Sequence, residues 1–153
     1  MAKNGFSMSN RVATEELDAA KTLTADDCGK VFTLAKNSGF TVTLPSPGAA
    51  GNGWNCKFIV DTAISSNQYI ISSSATTDHI KGGVLLGQTA GSDDAATAVN
   101  TAFFAPNGTN HTAIKLDVAS GRTGGVVEAQ VVANAWHLTG VLHASGTLET
   151  PFG

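Results

Sequence analysis

Apolar and polar residues alternate with a period of two along most of the chain from Lys21 onward. In residues 40–44, Phe40, Val42 and Leu44 fall on one face and two threonines on the other, which predicts a half-buried strand. Similar patterns predict further strands at residues 30–35, 54–60, 68–72, 79–86, 99–104, 112–118, 126–132 and 135–143. Such a series of short strands separated by turn residues is typical of an all-β fold, an antiparallel β-sandwich or a jelly-roll-like domain.

Two neighbouring segments nearly repeat each other. Residues 29–34 read GKVFTL and residues 39–44 read GFTVTL, with turn-forming residues between them; this pattern predicts a β-hairpin. Upstream, Thr24 and Asp27 have the spacing of a capping box, which indicates a single helical turn. Prolines end the hairpin after Leu44, and residues 48–53 are predicted to continue as a loop.

The first twenty residues lack the alternation. Residues 1–20 are therefore interpreted as an extended N-terminal arm and residues 21–153 as a single β-domain. An extended arm with apolar anchors can pair its backbone with the sheet edge of a neighbouring subunit, and the C-terminal segment could dock in the same way. The candidate partner-contact residues are Phe6, Met8, Arg11, Val12 and Phe152.

Composition and charge exclude several classes of function. The chain is 14% charged with a net charge of −3, and binding of nucleic acid through its phosphates requires a basic face. The longest apolar runs are a few residues, far below the roughly 20 that cross a bilayer. Residues 1–5 lack the apolar core of a secretion signal. We therefore expect no nucleic-acid partner and no membrane span, and we expect a product that stays in a cytoplasm or in an assembly built there.

No motif points to catalysis, a cofactor or a metal. The four histidines fall on different strands or strand ends without a ligand pair, and the Asp26–Asp27 and Asp93–Asp94 pairs do not belong to a calcium loop. Nucleophile elbows and phosphate-binding glycine loops are missing from the sequence. We predict a non-enzymatic protein without cofactors. Cys56 is predicted to be a core thiol, and both Cys28 and Cys56 are expected to be reduced.

Several of these segments together resemble a pattern of tailed-bacteriophage virion proteins. The resemblance covers about residues 21–143 and is closest to the small head decoration, or capsid cement, family. It is carried by an opening Leu-Thr-Ala-x-Asp-x-Gly-Lys motif, a Phe-Ile-Val strand end, a Tyr-x-Ile strand, a glycine-containing strand and a late tryptophan strand, found here at residues 23–30, 58–60, 69–71, 80–84 and 135–140.

The resemblance implies a structural role in the virion. Copies, often as homotrimers, would sit on the outer capsid lattice and tie neighbouring major capsid proteins together after expansion; assembly would take place in the host cytoplasm. The alternative is a receptor-binding or carbohydrate-binding module of a tail fibre or another tail protein. Such a site needs exposed aromatic rings, but Trp54 and Trp136 fall on apolar strand faces, and Tyr69 is the sole tyrosine.

Overall fold

Short strands are the main regular secondary structure in the computed structural model, which describes residues 12–88, 100–145 and 148–153. The all-β class is thereby confirmed. The helical segments of the described residues are a 3₁₀ turn at Ala25–Asp27 and the single-turn helix α1 at Pro47–Ala50, which begins one residue before the predicted loop and overlaps it. The strands are β1 Thr14–Leu17, β2 Lys21–Thr22, β3 Val31–Leu34, β4 Thr41–Thr43, β5 Asn55–Val60, β6 Tyr69–Ser72, β7 Ile80–Gln88, β8 Thr101–Phe104, β9 Ala113–Leu116, β10 Val126–Val132 and β11 Ala135–Ala144.

The strands form two sheets. One has seven strands in the order β1-β3-β5-β10-β11-β7-β8, and the other has four in the order β2-β4-β6-β9. The first six strands pass alternately from one sheet to the other, and wherever two of these six strands are neighbours in a sheet they are parallel. Each successive pair therefore completes one coil, as in a short β-helix. We call β1 with β2 coil 1, β3 with β4 coil 2, and β5 with β6 coil 3.

The predicted antiparallel arrangement and the predicted hairpin are both wrong. Among the described strands, five of the nine strand pairs are parallel. The two segments of the expected hairpin are β3 and β4, which lie in different sheets. Alternation specifies which side of a strand is buried, but it does not specify the partner strand. Here the turn after β3 leads into β4 in the second sheet, and the chain then returns to the first sheet as β5. Parallel neighbours such as β3 and β5 require a crossover connection of this kind.

Part of the predicted arm belongs to the sheet. Residues 14–17 form β1, the edge strand paired with β3, and Leu17 is buried in the core. Side chains do alternate between inward and outward positions in β1. The hydrophobic pattern does not show this, because Glu15, which shares the inward side with Leu17, is charged. The boundary proposed at residue 20 therefore does not separate arm from sheet, and residues 1–11 lie outside the described part of the chain.

Apolar side chains from both sheets meet in one core. Phe32 stacks on Phe58 with ring centroids 5.5 Å apart, and Trp54 meets Trp136 edge-on at 5.3 Å. The inward positions predicted for β5, β10 and β11 are confirmed as buried for Trp54, Cys56, Phe58, Val60, Val127, Ala129, Val131, Trp136, Leu138 and Leu142.

The chain turns away from the four-stranded sheet two residues earlier than predicted. Strand β9 ends at Leu116, and the Asp117 carboxylate accepts hydrogen bonds of 2.9 Å from the backbone N–H groups of Ala119 and Ser120. Val118, expected on the buried face, is consequently 48% exposed. A local Asp turn has overridden the alternation.

Tyr69 fastens the loops of coils 2 and 3. Its hydroxyl donates toward the carbonyls of Leu34 and Thr62, both at 3.0 Å, and accepts from the Lys36 N–H at 2.9 Å. The neighbouring loop approaches so closely that a Cβ on Gly39, whose φ is +65°, would lie 2.2 Å from the Gln68 carbonyl oxygen. Glycine is required at that position by both the space and the backbone conformation.

Candidate interaction surfaces

The predicted partner-contact residues have different environments. Phe6, Met8 and Arg11 lie outside the described residues. Val12 is exposed and lines a groove of about 400 Å³ beside residues of β3, β5, β10 and β11. Of the five residues, Val12 is therefore the one that the structure places on an accessible surface.

Phe152 lies inside the chain's own fold. Its side chain is 5% exposed and belongs to the core cluster, and its backbone forms a bridge with Ile114 on β9. Backbone hydrogen bonds between Gly153 and Ala113 hold the same segment. The prediction that Phe152 contacts another subunit is corrected accordingly, because its ring packs against its own sheets and the C-terminal residues cover the edge of β9.

Two lysines and two carboxylates form an ion cluster at coil 1. Lys30 Nζ lies 2.6 Å from Asp27 Oδ1 and 3.3 Å from Glu15 Oε2. Lys21 Nζ contacts Glu15, lies 3.6 Å from Asp27 Oδ1 and sits 5.2 Å from the ring centroid of Phe32. These four charged residues, the coil-1 ion cluster, join β1, β2 and the 3₁₀ turn to the start of β3.

The cluster shifts the pKa values of its members in the directions expected for ion pairs. The hydrogen bond from Lys21 is the main cause that lowers the pKa of Glu15. Burial on its own would raise the pKa of Asp27, but hydrogen bonds from Lys30 and from the Thr24 N–H outweigh it, and the pKa is lowered. Hydrogen bonds to Asp27 and then Glu15 raise the pKa of Lys30. The charged forms therefore contribute to stability near neutral pH.

The motif that carries the family resemblance builds this end of the molecule. Thr24 and Asp27 form the expected capping box around the 3₁₀ turn, and Leu23 is buried. Gly29 has a φ of +77°, and Lys30 belongs to the ion cluster. The residues of the motif therefore have structural roles in the turn between coils 1 and 2.

The outer face of the seven-stranded sheet, which points away from the shared core, carries a row of apolar side chains. The strand register aligns one residue from each of five neighbouring strands. Phe103 is 67% exposed, Val141 51% and Leu85 39%. We call this set the outer-face row: Ile59 on β5, Val126 on β10, Val141 on β11, Leu85 on β7 and Phe103 on β8.

Sequence reasoning did not identify the row. Alternation predicts correctly that Val141 points to the side opposite Trp136, but a single outward valine is ordinary at a protein surface. The row exists because parallel pairing of β11 with β7 brings Val141 beside Leu85, and antiparallel pairing of β7 with β8 brings Leu85 beside Phe103. The signal lies in the register, which the sequence pattern does not reveal.

The aromatic residues considered for carbohydrate binding are buried. Trp54 Nε1 donates to the Ala25 carbonyl at 3.0 Å, and Trp136 Nε1 donates to the Pro45 carbonyl at 3.2 Å. Tyr69 is buried with its hydroxyl bonded as described above, and burial raises its pKa. None of these three rings is available to stack on a sugar.

The titratable groups do not converge on a reactive site. Among the described residues, no group of three or more His, Cys, Asp or Glu side chains could hold a metal ion. Cys28 is exposed and Cys56 is buried, and both are free thiols. Burial is the main cause that raises the pKa of Cys56, so its thiolate is disfavoured. Asp93 and Asp94 lie outside the described residues.

Comparison with known protein families, with curated proteins and with solved structures finds no match for this chain. In the described part of the chain, no helix is long and apolar enough to span a membrane.

Proposed function

We propose that the protein is a non-enzymatic structural protein of a tailed-phage virion, a decoration or cement protein that binds the outer capsid lattice. The observation that carries the proposal is the outer-face row, an apolar strip on the described surface that suits contacts between the subunits of an assembly, whereas the titratable groups of the described residues are dispersed or paired. Exposed apolar patches of this kind are typical of interaction sites. The resemblance at residues 21–143 gives the partner class, the major capsid protein.

For the architecture, we infer that the two sheets pack face to face as a β-sandwich whose first half winds as three coils. Both sheets contribute to the single core, and the alternation of β1 to β6 between them supports this arrangement. A rigid two-sheet body suits a cement, because many copies that each make weak contacts stabilise a shell by avidity.

Residues 1–12 are proposed as the segment that contacts the capsid. This segment contains Lys3 and Arg11 and no acidic residue, in a chain whose net charge is −3. Phe6, Met8 and Val12 are large apolar side chains within it. Its charge differs in sign from that of the whole chain, so it is suited to an acidic surface with apolar pockets. It is followed by β1, the edge strand of the seven-stranded sheet among the described residues, and its last residue, Val12, lines the groove.

The tail-fibre alternative has less support. A carbohydrate site would use exposed tryptophan or tyrosine, and Trp54, Trp136 and Tyr69 are buried. Phe103 is an exposed aromatic residue, but its neighbours in the row are the aliphatic residues Leu85 and Val141 rather than polar groups that could bind sugar hydroxyls.

Co-sedimentation with expanded capsids of the phage that encodes the chain tests the proposal. The full chain should pellet with the capsids, and deletion of residues 1–12 should remove most of the bound protein. Phe6→Ser combined with Met8→Ser should also reduce occupancy, whereas the matched control Ser7→Ala with Ser9→Ala should not. Failure of the full chain to bind would overturn the proposed function; unchanged occupancy after the deletion would overturn residues 1–12 as the anchor.

A further inference from the structure

We infer that copies of this chain associate with each other through the outer-face row. The inference rests on the proposed function in one respect, since it identifies the surface through which decoration subunits would contact one another. It is measured on the isolated chain, so it can fail or succeed independently of capsid binding.

The row is long enough to form the centre of an interface. Neighbouring strands lie about 4.8 Å apart, so five aligned side chains extend over about 19 Å. Ile59 and Val126 are partly buried at one end, and exposure is greater from Val141 to Phe103 at the other. Contiguous apolar surface of this length is uncommon on a monomer without a partner.

Small residues adjoin the row on β7 and β11. The ring of Phe103 lies over Gly83, because a Cβ at that glycine would be 2.3 Å from Phe103 Cζ. Gly87 and Thr139 flank the row on the same face. Small side chains beside an apolar strip allow a second sheet to approach to the usual separation of about 10 Å between stacked sheets.

The charges on this face favour a second copy as the occupant. The charged strand residues that point outward are Glu16, Lys57, Lys81 and Glu128, two of each sign, so they sum to zero. Lys57 and Glu128 pair at 2.7 Å directly beside the row. Although the whole chain carries −3, two such faces can meet without net repulsion, and each copy offers the other both a lysine and a glutamate.

The available area agrees with a modest, self-associating interface. Seven strands span about 29 Å, and strands of six or seven residues are about 20 Å long, which gives a face of roughly 600 Å². Standard interfaces bury about 800 Å² on each partner. The face is therefore somewhat smaller than a standard interface, and we expect association that is weak and depends on protein concentration.

The test is the mass of the protein in solution, measured by sedimentation equilibrium across micromolar concentrations. Wild type should have about twice the mass of the 15.6 kDa chain, as a dimer, because a face that meets the same face of a second copy closes on a pair. Val141→Lys should weaken association by about tenfold or more, since it places a charge in the middle of the row. Val118→Lys is the matched control, because Val118 is exposed to a similar degree, 48% against 51%, but lies outside the row.

Circular dichroism checks that each variant folds. If Val141→Lys does not fold, Val141→Thr, which keeps the side-chain shape, replaces it in the comparison with Val118→Lys. A wild type that remains at 15.6 kDa, or equal masses for Val141→Lys and Val118→Lys, overturns the inference. A monomer that associates only after residues 1–11 are deleted also overturns it, because the chain's own N-terminal segment would then cover the row. If wild type is an oligomer that Val141→Lys dissociates, but wild type does not bind capsids, the result supports self-association through the row and refutes the proposed function.

Discussion

Coil 1 and the outer face of the seven-stranded sheet differ in their surface groups: coil 1 pairs its charged groups, whereas the outer face leaves apolar groups exposed. At coil 1 the inward charge of Glu15 is paired with Lys21 and Lys30, and β1, the edge strand, has no second strand partner among the described residues. On the outer face, Leu85 on the interior strand β7 and Phe103 on β8 at the other end of the sheet remain partly uncovered.

The comparison shows that an unpaired edge and an uncovered face are different kinds of surface. Inward charges protect an edge against pairing with foreign strands, so coil 1 resists adventitious association. No member of the outer-face row is charged, so the row lacks this protection. We therefore propose self-association for the face and capsid contact for residues 1–12, which precede the edge strand.

The largest effect is expected from the core that the two regions share. Trp136→Ala should lower the free energy of unfolding by about 3–5 kcal/mol, because it removes the ring against Trp54 and the bond to the Pro45 carbonyl. His137→Ala, the adjacent outward residue, is the control. Guanidinium unfolding followed by two probes should show one cooperative transition for wild type; two separate transitions would mean that the coils and the second half are independent.

A smaller loss is expected at the loops of coils 2 and 3. Tyr69→Phe keeps the buried ring but removes the hydroxyl that binds Leu34, Lys36 and Thr62, so stability should fall by about 1–3 kcal/mol. Ser65→Ala, which removes an exposed bond to the Asn37 carbonyl in the same region, should have little effect. Equal losses in the two variants would contradict the role of Tyr69.

The coil-1 ion cluster predicts a pH-dependent effect of intermediate size. Asp27→Asn should cost about 1–2 kcal/mol near neutral pH through the lost capping and ion-pair contacts, whereas the exposed neighbour Asp26→Asn should cost little. The folded pKa of Asp27 is lowered, so its contribution is present above the unfolded value of about 3.9 and is lost as the pH falls through the folded value. The raised pKa of Lys30 adds a second loss as the pH rises through that folded pKa.

Urea unfolding of wild type and Asp27→Asn across the pH range checks the signs. The difference between the two should be largest between the acid and alkaline limits and should shrink at both. A difference that grows as the pH falls below about 4 would contradict the lowered pKa of Asp27.

The smallest effect on folding is expected at the outer-face row. Val141→Thr keeps a β-branched side chain on a long central strand, so the free energy of unfolding of the monomer should change by less than about 0.5 kcal/mol. Measured by denaturation at a concentration where the chain is monomeric, a loss above about 2 kcal/mol would show that Val141 is part of the core rather than of an interface.

The sequence specifies the strands of this fold better than their neighbours. Strand β10 begins and ends where the alternation predicts, and β11 extends one residue further, to Ala144. Burial of alternate side chains is a local property that the pattern records directly. The parallel pairing of β3 with β5 depends on contacts between residues far apart in the chain, so the pattern predicted a hairpin instead.

The candidate surfaces were predictable only in part. Val12 is exposed as expected, but the ring of Phe152 is in the core because the C-terminal segment returns to the edge of β9. No local signal distinguishes a terminal phenylalanine that docks on its own chain from one that docks on another. The row from Ile59 to Phe103 required the register of five strands.

Electron microscopy of purified particles tests the central claim most directly. The account predicts density of the size of this chain at regular positions on the outer surface of the expanded capsid, and loss of that density from particles made without the protein. Density confined to the tail, or particles that contain no copies of the chain, would contradict the account.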